Sequence, residues 1–453
     1  MHDARQPAIE YYHGLISRNL SEAEAELRLL HDLQHERKVL FGDRATAHSL
    51  RPTFLSEAMY NSVQDTVYLL RQALLRISEQ FFLDRTLLRD ELGMEEWELE
   101  LAALPTHIVR LAATARMDAF FTPTSFKFVE INGESPAGMG YIHELARIYR
   151  ELPLFRAFAK RYPVRFVSPL EHAVAALLLL YHEQWDGAEE RPSFAIVDHL
   201  DVPTIHEFRI IQAYLQRLGY PCEVIDPREL ECRDGWIYAN GRRIDIVYRR
   251  LLMNEYHAMR EDCEAYLEGY KAQKTCYLNS FRSKMVHKKA IFAFLTDERY
   301  THILTPQQNE AIRRHIPWTR RLREQKTSFR GLDIDLVEFA RANRRYFVLK
   351  PNDEYGGKGV TLGFETTQAA WDAALDEALR ANYVVQEIVD IHREPFLMHT
   401  GDGWQEVPTI IDLDPYLNGP LMGGCLTRTS AGNLANVTAG GGTLPLFILR
   451  NTF

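Results

Sequence analysis

The feature that most constrains this chain is a change of hydrophobic period at Met117. Upstream, Val63, Val67, Leu70, Leu74 and Ile77 recur at four- and three-residue steps, the stripe of a packed amphipathic helix. Ser21 with Glu24 reads as a capping box opening SEAEAELRLLHDL. From Met117 on, AFFTPTSFKFVEING carries two short runs rich in Phe and Val around a Thr-Pro-Thr-Ser turn, which predicts a hairpin ending at Asn132-Gly133. Neither an all-helical bundle nor an all-β sandwich accommodates both halves.

Strand and helix signals alternate from about Pro192. PSFAIVDHL, CEVIDP and IDIVYRRL read as strands, and HEFRIIQAYLQRLG as a helix closed by Gly219, which predicts a small α/β unit with parallel strands. No G-x-G-x-x-G follows the first strand, so a dinucleotide-binding unit is disfavoured. Farther on, KKAIFAFLTD reads as helix, RYFVLKPN as a strand entering the glycine-rich DEYGGKGV, and NYVVQEIV as another strand. The expected fold class is therefore α/β (α+β), its parts packed together, since no internal repeat or low-complexity linker separates them.

Composition removes several function classes. A net charge of −9 without a basic block gives no support to nucleic acid as a partner. The five cysteines are scattered and never form C-x-x-C, which argues against a disulfide framework or zinc ribbon and fits a reducing cytoplasm. The longest apolar run, AVAALLLLY, is half of what a membrane span needs, and the N-terminus shows no signal-peptide core, so a cytoplasmic protein without a membrane partner is expected. H-E-x-x-H is missing, and GESPAG around Ser135 is not G-x-S-x-G.

Four groups carry chemistry. Glu130 and Asn132, two apart on one strand, face the same side, and Asp118 on the partner strand can share it. Two carboxylates and an amide oxygen suit Mg²⁺ bound with substrate phosphates. A surface ion pair between Arg116 and Asp118 beside a plain turn is the competing reading. Lys350 leads into Gly356, Gly357, Lys358 and Gly359, where a strand lysine and a flexible loop can meet phosphate oxygens, although a hairpin turn with a solvated lysine has the same sequence. The spacing is not G-x-x-x-x-G-K-[ST]. VVQEIV is a strand able to present main-chain groups to an adenine edge, or simply a core strand. Arg428 and Asn436 lie upstream of Gly440-Gly441-Gly442, where arginine suits phosphate and glycine permits close backbone approach; a surface loop is the alternative.

Together these groups resemble the ATP-grasp ligases, in particular the circularly permuted branch related to glutathionylspermidine synthase. RMD…FVEING precedes NSFRSKMVHKKAIFAFL and YFVLKPNDEYGGKGV, the permuted order, and the resemblance spans roughly residues 110–450. It implies Asp118, Glu130 and Asn132 as ligands of Mg²⁺, and Arg116 and Arg428 on the transferred phosphate. It also implies Lys289 (or its neighbour Lys288) and Lys350 on the ATP α- and β-phosphates, Gly356 to Gly359 as a lid, and Gln386, Glu387 and Ile388 as the adenine hinge. The expected organisation is a helical region over 1–110, a hairpin unit carrying the metal site over 111–165, a pre-grasp α/β unit over 166–276 with Arg250 facing the substrate cleft, and nucleotide-binding subdomains over 277–453. The implied activity is ATP-dependent joining of a small-molecule carboxylate (a peptide among the options) to an amine, through an acyl phosphate with release of ADP. A small-molecule kinase and a non-catalytic ATP-binding module are the alternatives. The helical first hundred residues contain no cysteine, so the amidase domain that often accompanies the synthases is not supported, and GESPAGMGY departs from them, pointing to a different acid and amine.

Overall fold

The Phe- and Val-rich runs pair as an antiparallel hairpin, Thr114–Phe121 with Phe126–Asn132, in the computed structural model of the chain, which describes residues 5–108, 110–430, 432 and 441–450. Alternation along its first strand assigns the two faces. Met117 and Ala119 are wholly buried against the helical layer, which leaves the side of Asp118 to the opposite face. The helical layer includes Glu57–Phe81, opened by the Ser56 hydroxyl accepting from the Met59 N–H, and its stripe from Val63 to Ile77 is buried as its spacing predicts. The next expectation needs correction. Helix Leu20–Glu36 is capped by Asn19, whose side chain accepts from the Glu22 N–H, and Ser21 lies inside the first turn. Asn19 is extended and caps as well as a serine would, so it takes the boundary.

The hairpin is one end of a larger antiparallel sheet. Beyond Thr114–Phe121 come Gly403–Asn418, Leu421–Ser430 and Gly442–Leu444, and Arg393–Thr400 pairs with the outer part of Gly403–Asn418. The middle of the chain and its C-terminal part thus share one sheet. The first hundred residues are not helical throughout: Thr53–Ser56 runs parallel to Leu446–Leu449, which in turn pairs with Val164–Arg165.

Two further sheets flank this one. Cys276–Leu278, Ile246–Arg249, Phe194–Val197 and Cys222–Ile225 lie parallel in that order, with helix Ile205–Arg217 between the last two in sequence, the α/β unit expected from the alternating signals. Thr319–Arg321, Tyr383–Glu387, Phe347–Pro351 and Thr361–Leu362 form an antiparallel sheet over Trp371 of helix Gln368–Leu379. Asn279 rivets the parallel sheet to the hairpin. Its side chain donates to the carbonyls of Thr114, Gly133 and Glu134 at 2.8, 3.0 and 2.8 Å, and accepts from the N–H groups of Ala113 and Thr114. Among the described residues, no helix is long and apolar enough to cross a membrane.

Candidate functional site

The sheet register gathers charge on one face. Asp118 stands opposite Glu130, and Arg116 opposite Asn132. On the neighbouring strand Asp412 is opposite Phe120, and across the next ladder Asp412 is opposite Arg428. Four adjacent strands therefore present a band of side chains at two-residue steps. Arg116 grips Asp118 in a fork, Nε to Oδ1 at 2.7 Å and Nη2 to Oδ2 at 3.0 Å, and donates Nη1 to the Ala137 carbonyl at 3.0 Å. Arg428 donates to Asp118 Oδ2 at 2.7 Å, pairs with Asp412, and approaches Asp414 Oδ2 at 3.0 Å. Asn132 Nδ2 donates to Asp118 Oδ1 at 3.0 Å. The ion pair between Arg116 and Asp118 is real, but it is buried rather than superficial: Asp118 is 1% exposed. Burial by itself pushes the Asp118 carboxyl up; the two guanidinium groups outweigh it and hold Asp118 well below the usual carboxylate range. Asp412 and Asp414 are raised by burial, against the pull of Arg428.

Opposite this band, a cleft of about 430 Å³ is walled by both antiparallel sheets. Asp118, Glu130, Lys289, Lys350, Gly356, Gly357, Lys358, Gln386, Glu387, Ile388 and Arg428 all line it. Lys350 donates from Nζ to Gln386 Oε1 at 2.7 Å and to the Val129 carbonyl at 3.2 Å. Its ammonium is pulled down to about 8 by burial, with Glu130 opposing and Lys289 adding to the shift. Gln386 passes the connection on, donating to Thr319 Oγ1 at 3.0 Å. Main-chain N–H groups of Glu387 and Ile388 are committed to the carbonyls of Trp318 and Tyr346. The glycine-rich segment needs its glycines: residues 356, 357 and 359 have φ of 67°, 77° and 71°, a region costly for other side chains. Gly359 packs on Pro351 rather than lining the cleft, and the Lys358 side chain is largely in solvent, 3.5 Å from Glu354.

Lys288 and Lys289 point to different places. Lys289 Nζ lies 3.4 Å from Glu130 in the cleft. Lys288 is turned into a buried network, 2.7 Å from Glu98 and 3.0 Å from Asp353. The expected helix through KKAIFAFLTD is interrupted here. Residues 288–290 connect the short helices Lys284–His287 and Ile291–Thr296, and the Lys289 N–H donates to the Asn352 carbonyl while the Ala290 N–H donates to its side chain. Tertiary hydrogen bonds to Asn352, just past the strand that bears Lys350, override the local helical preference.

Glu134, His287 and Asp353 offer ligand atoms within 4.8 Å of one another, a spacing a metal would accept. However, Lys284 Nζ already sits 3.0 Å from Glu134 and 2.7 Å from Asp353, so ammonium groups neutralise the carboxylates. The set is a salt-bridge network.

A second chamber, of about 390 Å³, opens beside the cleft and shares Glu130, Gly356 and Arg428 with it. Arg116, Asn132 and Arg250 lie in its wall, together with Ser135, Asp198 and Tyr355. Gly138 at its floor has φ 104°, and a Cβ there would meet the Tyr416 hydroxyl at 2.8 Å. Of the late glycine group, Asn436 and Gly440 lie outside the described residues, and Gly442 begins the strand at the edge of the central sheet. Sequence reasoning missed Asp412 and Asp414, though Ile-Ile-Asp-Leu-Asp carries the same two-residue spacing as Glu130 and Asn132.

No family model matches the chain. It is 23% identical over 346 residues to uncharacterized proteins of Mycobacterium tuberculosis and Mycobacterium bovis, an alignment covering 72% of this chain and 58% of those proteins. The chain thus spans little more than half the length of the curated relatives it matches. Among solved structures, a putative gamma-glutamylcysteine synthetase from Methylobacillus flagellatus aligns over 83% of this chain and 88% of its own at a TM-score of 0.42 and 9% identity. A glutathione synthetase-like effector from Globodera pallida, in its apo form, covers 94% of this chain and 96% of its own at a TM-score of 0.58 and 13% identity. The α+β fold read from the sequence is one this chain shares, almost end to end, with that effector.

Proposed function

We propose that the chain is an ATP-dependent carboxylate–amine ligase of the permuted ATP-grasp kind, working through an acyl phosphate. The observation that supports this most is the convergence of Asp118, Glu130, Lys289, Lys350 and Arg428, drawn from three separate parts of the sequence, on one cleft that opens into a second chamber. A nucleotide-binding module needs only the first cavity. A ligase needs both, because the activated acid must meet its acceptor away from water.

The donor set suits Mg²⁺: oxygen ligands from Asp118, Glu130 and Asn132, with Asp412 Oδ1 buried nearby and without a hydrogen-bond partner. Asp118, Glu130 and Asn132 would hold the ion, which when bound neutralises charge on the polyphosphate. Lys289 and Lys350 would take the phosphate oxygens, and residues 356–359 would cover them. Arg116 and Arg428 would receive the transferred phosphoryl group, whose loose transition state asks mainly for positioning and charge neutralisation. A substrate carboxylate oxygen attacks the γ-phosphorus and the bond to ADP breaks. The amine nitrogen, having given its extra proton to solvent, then attacks the acyl carbon; the C–O bond breaks with its electron pair leaving on phosphate, which takes the second proton released as the amide forms. Hydroxylamine trapping with Mg-ATP and a panel of amino acids, short peptides and polyamine-pathway acids tests this. Hydroxamate is expected in step with ADP, whereas a stable phosphorylated product would mean a kinase and bound ATP without turnover a binding module.

Nucleotide affinity is expected to fall as pH rises through 8. Only charged Lys350 brings a positive charge to the phosphate beside the donors it gives Gln386 and Val129, and burial holds its pKa at about 8, so deprotonation above that value weakens binding by at most about tenfold per pH unit. Titration with ADP between pH 7 and 9 measures the slope. Lys350→Met should remove that leg of the profile, and a slope unchanged in the variant would reject the assignment.

A further inference from the structure

The charges around the second chamber do not balance. On the side shared with the cleft, Arg116 and Arg428 are spent on Asp118, Asp412 and Asp414. Arg250, 3% exposed, donates Nη1 to the Pro136 carbonyl at 2.6 Å, pairs with Glu207 at 3.5 Å and lies over the Phe208 and Tyr248 rings. His287 is held neutral, its pKa taken down to about 4 by burial despite Glu134. The cations of the wall are thus committed to groups of the protein itself.

Two carboxylates are not. Asp198 follows strand Phe194–Val197, at the carboxyl edge of the parallel sheet, where such sheets hold their ligands. It is 7% exposed, and the hydrogen bond it accepts, from the His199 N–H, uses Oδ1. Glu255 caps the Leu252 N–H through Oε2. Among the described residues neither makes an ion pair, although both line the chamber. Tyr355, 54% exposed and placed just before Gly356 on the glycine-rich segment, faces the same space and senses both carboxylates. Phe41, Val202, Pro203, Leu252 and Leu426 supply apolar wall. A buried and a half-buried carboxylate, neither in an ion pair among the described residues although Arg250 acts on Asp198 from farther off, together with an aromatic ring and an aliphatic lining, recognise an ammonium group on a short hydrocarbon.

We propose that this chamber seats a primary amine in its ammonium form, with Asp198 and Glu255 as its counter-charges and Tyr355 as the side chain that closes over it. As the acceptor of a ligation this amine rests on the reading above, since the shared residues Glu130, Gly356 and Arg428 would bring it to the activated acid. The binding site itself does not depend on that reading. Protonation supports it. Burial raises the Asp198 carboxyl to about 7, opposed by Arg250 and reinforced by Glu255 and Asp226, so a cation binds best once Asp198 has ionised.

Calorimetric titration of the full chain with n-butylamine, 1,3-diaminopropane and n-butyrate at pH 8, without nucleotide, provides the test. The amines should saturate and n-butyrate should not. Asp198→Asn and Glu255→Gln should each weaken amine binding by about tenfold or more, the scale of one charge-assisted hydrogen bond. Amine affinity should also climb between pH 6 and 8 in the natural chain and stay flat in Asp198→Asn. Preference for n-butyrate, or amine affinity in both variants unchanged from that of the natural chain, would overturn the proposal. ADP titrations of the same proteins separate the two readings. Retained ADP binding shows that the variants are folded, and failure of the natural chain to bind ADP counts against the ligase while the amine titration still decides the chamber.

Discussion

Replacing Glu130 by glutamine is expected to lower ADP-forming turnover by roughly 10²–10³-fold, the range seen when one preorganised charge-stabilising group is removed, with little change in stability. Glu130 is half-buried, and its partners are distant: Lys289 at 3.4 Å and the Asn132 amide at 3.4 Å. Glutamine keeps the shape and leaves no guanidinium stranded. Asp118→Asn would be a poorer probe, because Asp118 is the shared counter-charge of Arg116 and Arg428, and its loss would confound catalysis with folding. The measurement is the rate of ADP release under saturating Mg-ATP, beside a thermal unfolding curve of the same preparation. Unchanged ADP release in Glu130→Gln would remove this residue from the metal site and, with it, the main support for phosphoryl transfer here.

The band of charge to which Glu130 belongs was half legible in the sequence. Period-two spacing placed Glu130 and Asn132 on one face, and the hairpin put Asp118 across from them, because both signals are local. Asp412 and Asp414 carry the same spacing, but alternation reports a face and never a neighbour. Only the register, which brings Asp414 Oδ1 to the Ala119 N–H at 3.2 Å over a separation of 295 residues, shows that the two strands adjoin. The parallel unit was readable because strand, helix and strand follow one another at short range. Residues 288–290 were misread for the opposite reason. Their helical pattern is genuine, and hydrogen bonds from Asn352 defeat it. The cap moved from Ser21 to Asn19 by two residues, which is where local propensity alone is least decisive. The proposed amine chamber was invisible because Asp198, Glu255 and Tyr355 share no motif; a strand end, the helix Met253–Ala258 and the glycine-rich segment deliver them.

Glu134, whose segment GESPAG is no hydrolase signature, is expected to matter most for stability. It is fully buried and receives Arg249 Nη1 at 3.0 Å, Lys284 Nζ at 3.0 Å and the Met253 N–H at 3.1 Å. Lys284 and Lys288 continue to Asp353, the residue that leads into the glycine-rich segment. Glu134→Gln removes one negative charge from a buried set of three cations, so about 3–5 kcal/mol of stability should be lost, the usual cost of breaking a buried pair by deleting one partner. The pH dependence gives an independent check. Burial would raise the Glu134 carboxyl, but Lys284 and Arg249 outweigh burial and hold it at about 2, below its unfolded value. A depressed acid stabilises the fold above its unfolded pKa and loses that contribution as pH falls through the folded one, here from about 4.5 down to about 2. Urea unfolding midpoints measured from pH 7 down to 3 should therefore fall for the natural chain in the acid range, and Glu134→Gln should start lower and lack part of that fall. A variant as stable as the natural chain at pH 7 would mean that the network beneath the glycine-rich segment tolerates an uncompensated charge, and that Asp353 is positioned by its strand rather than by the lysines.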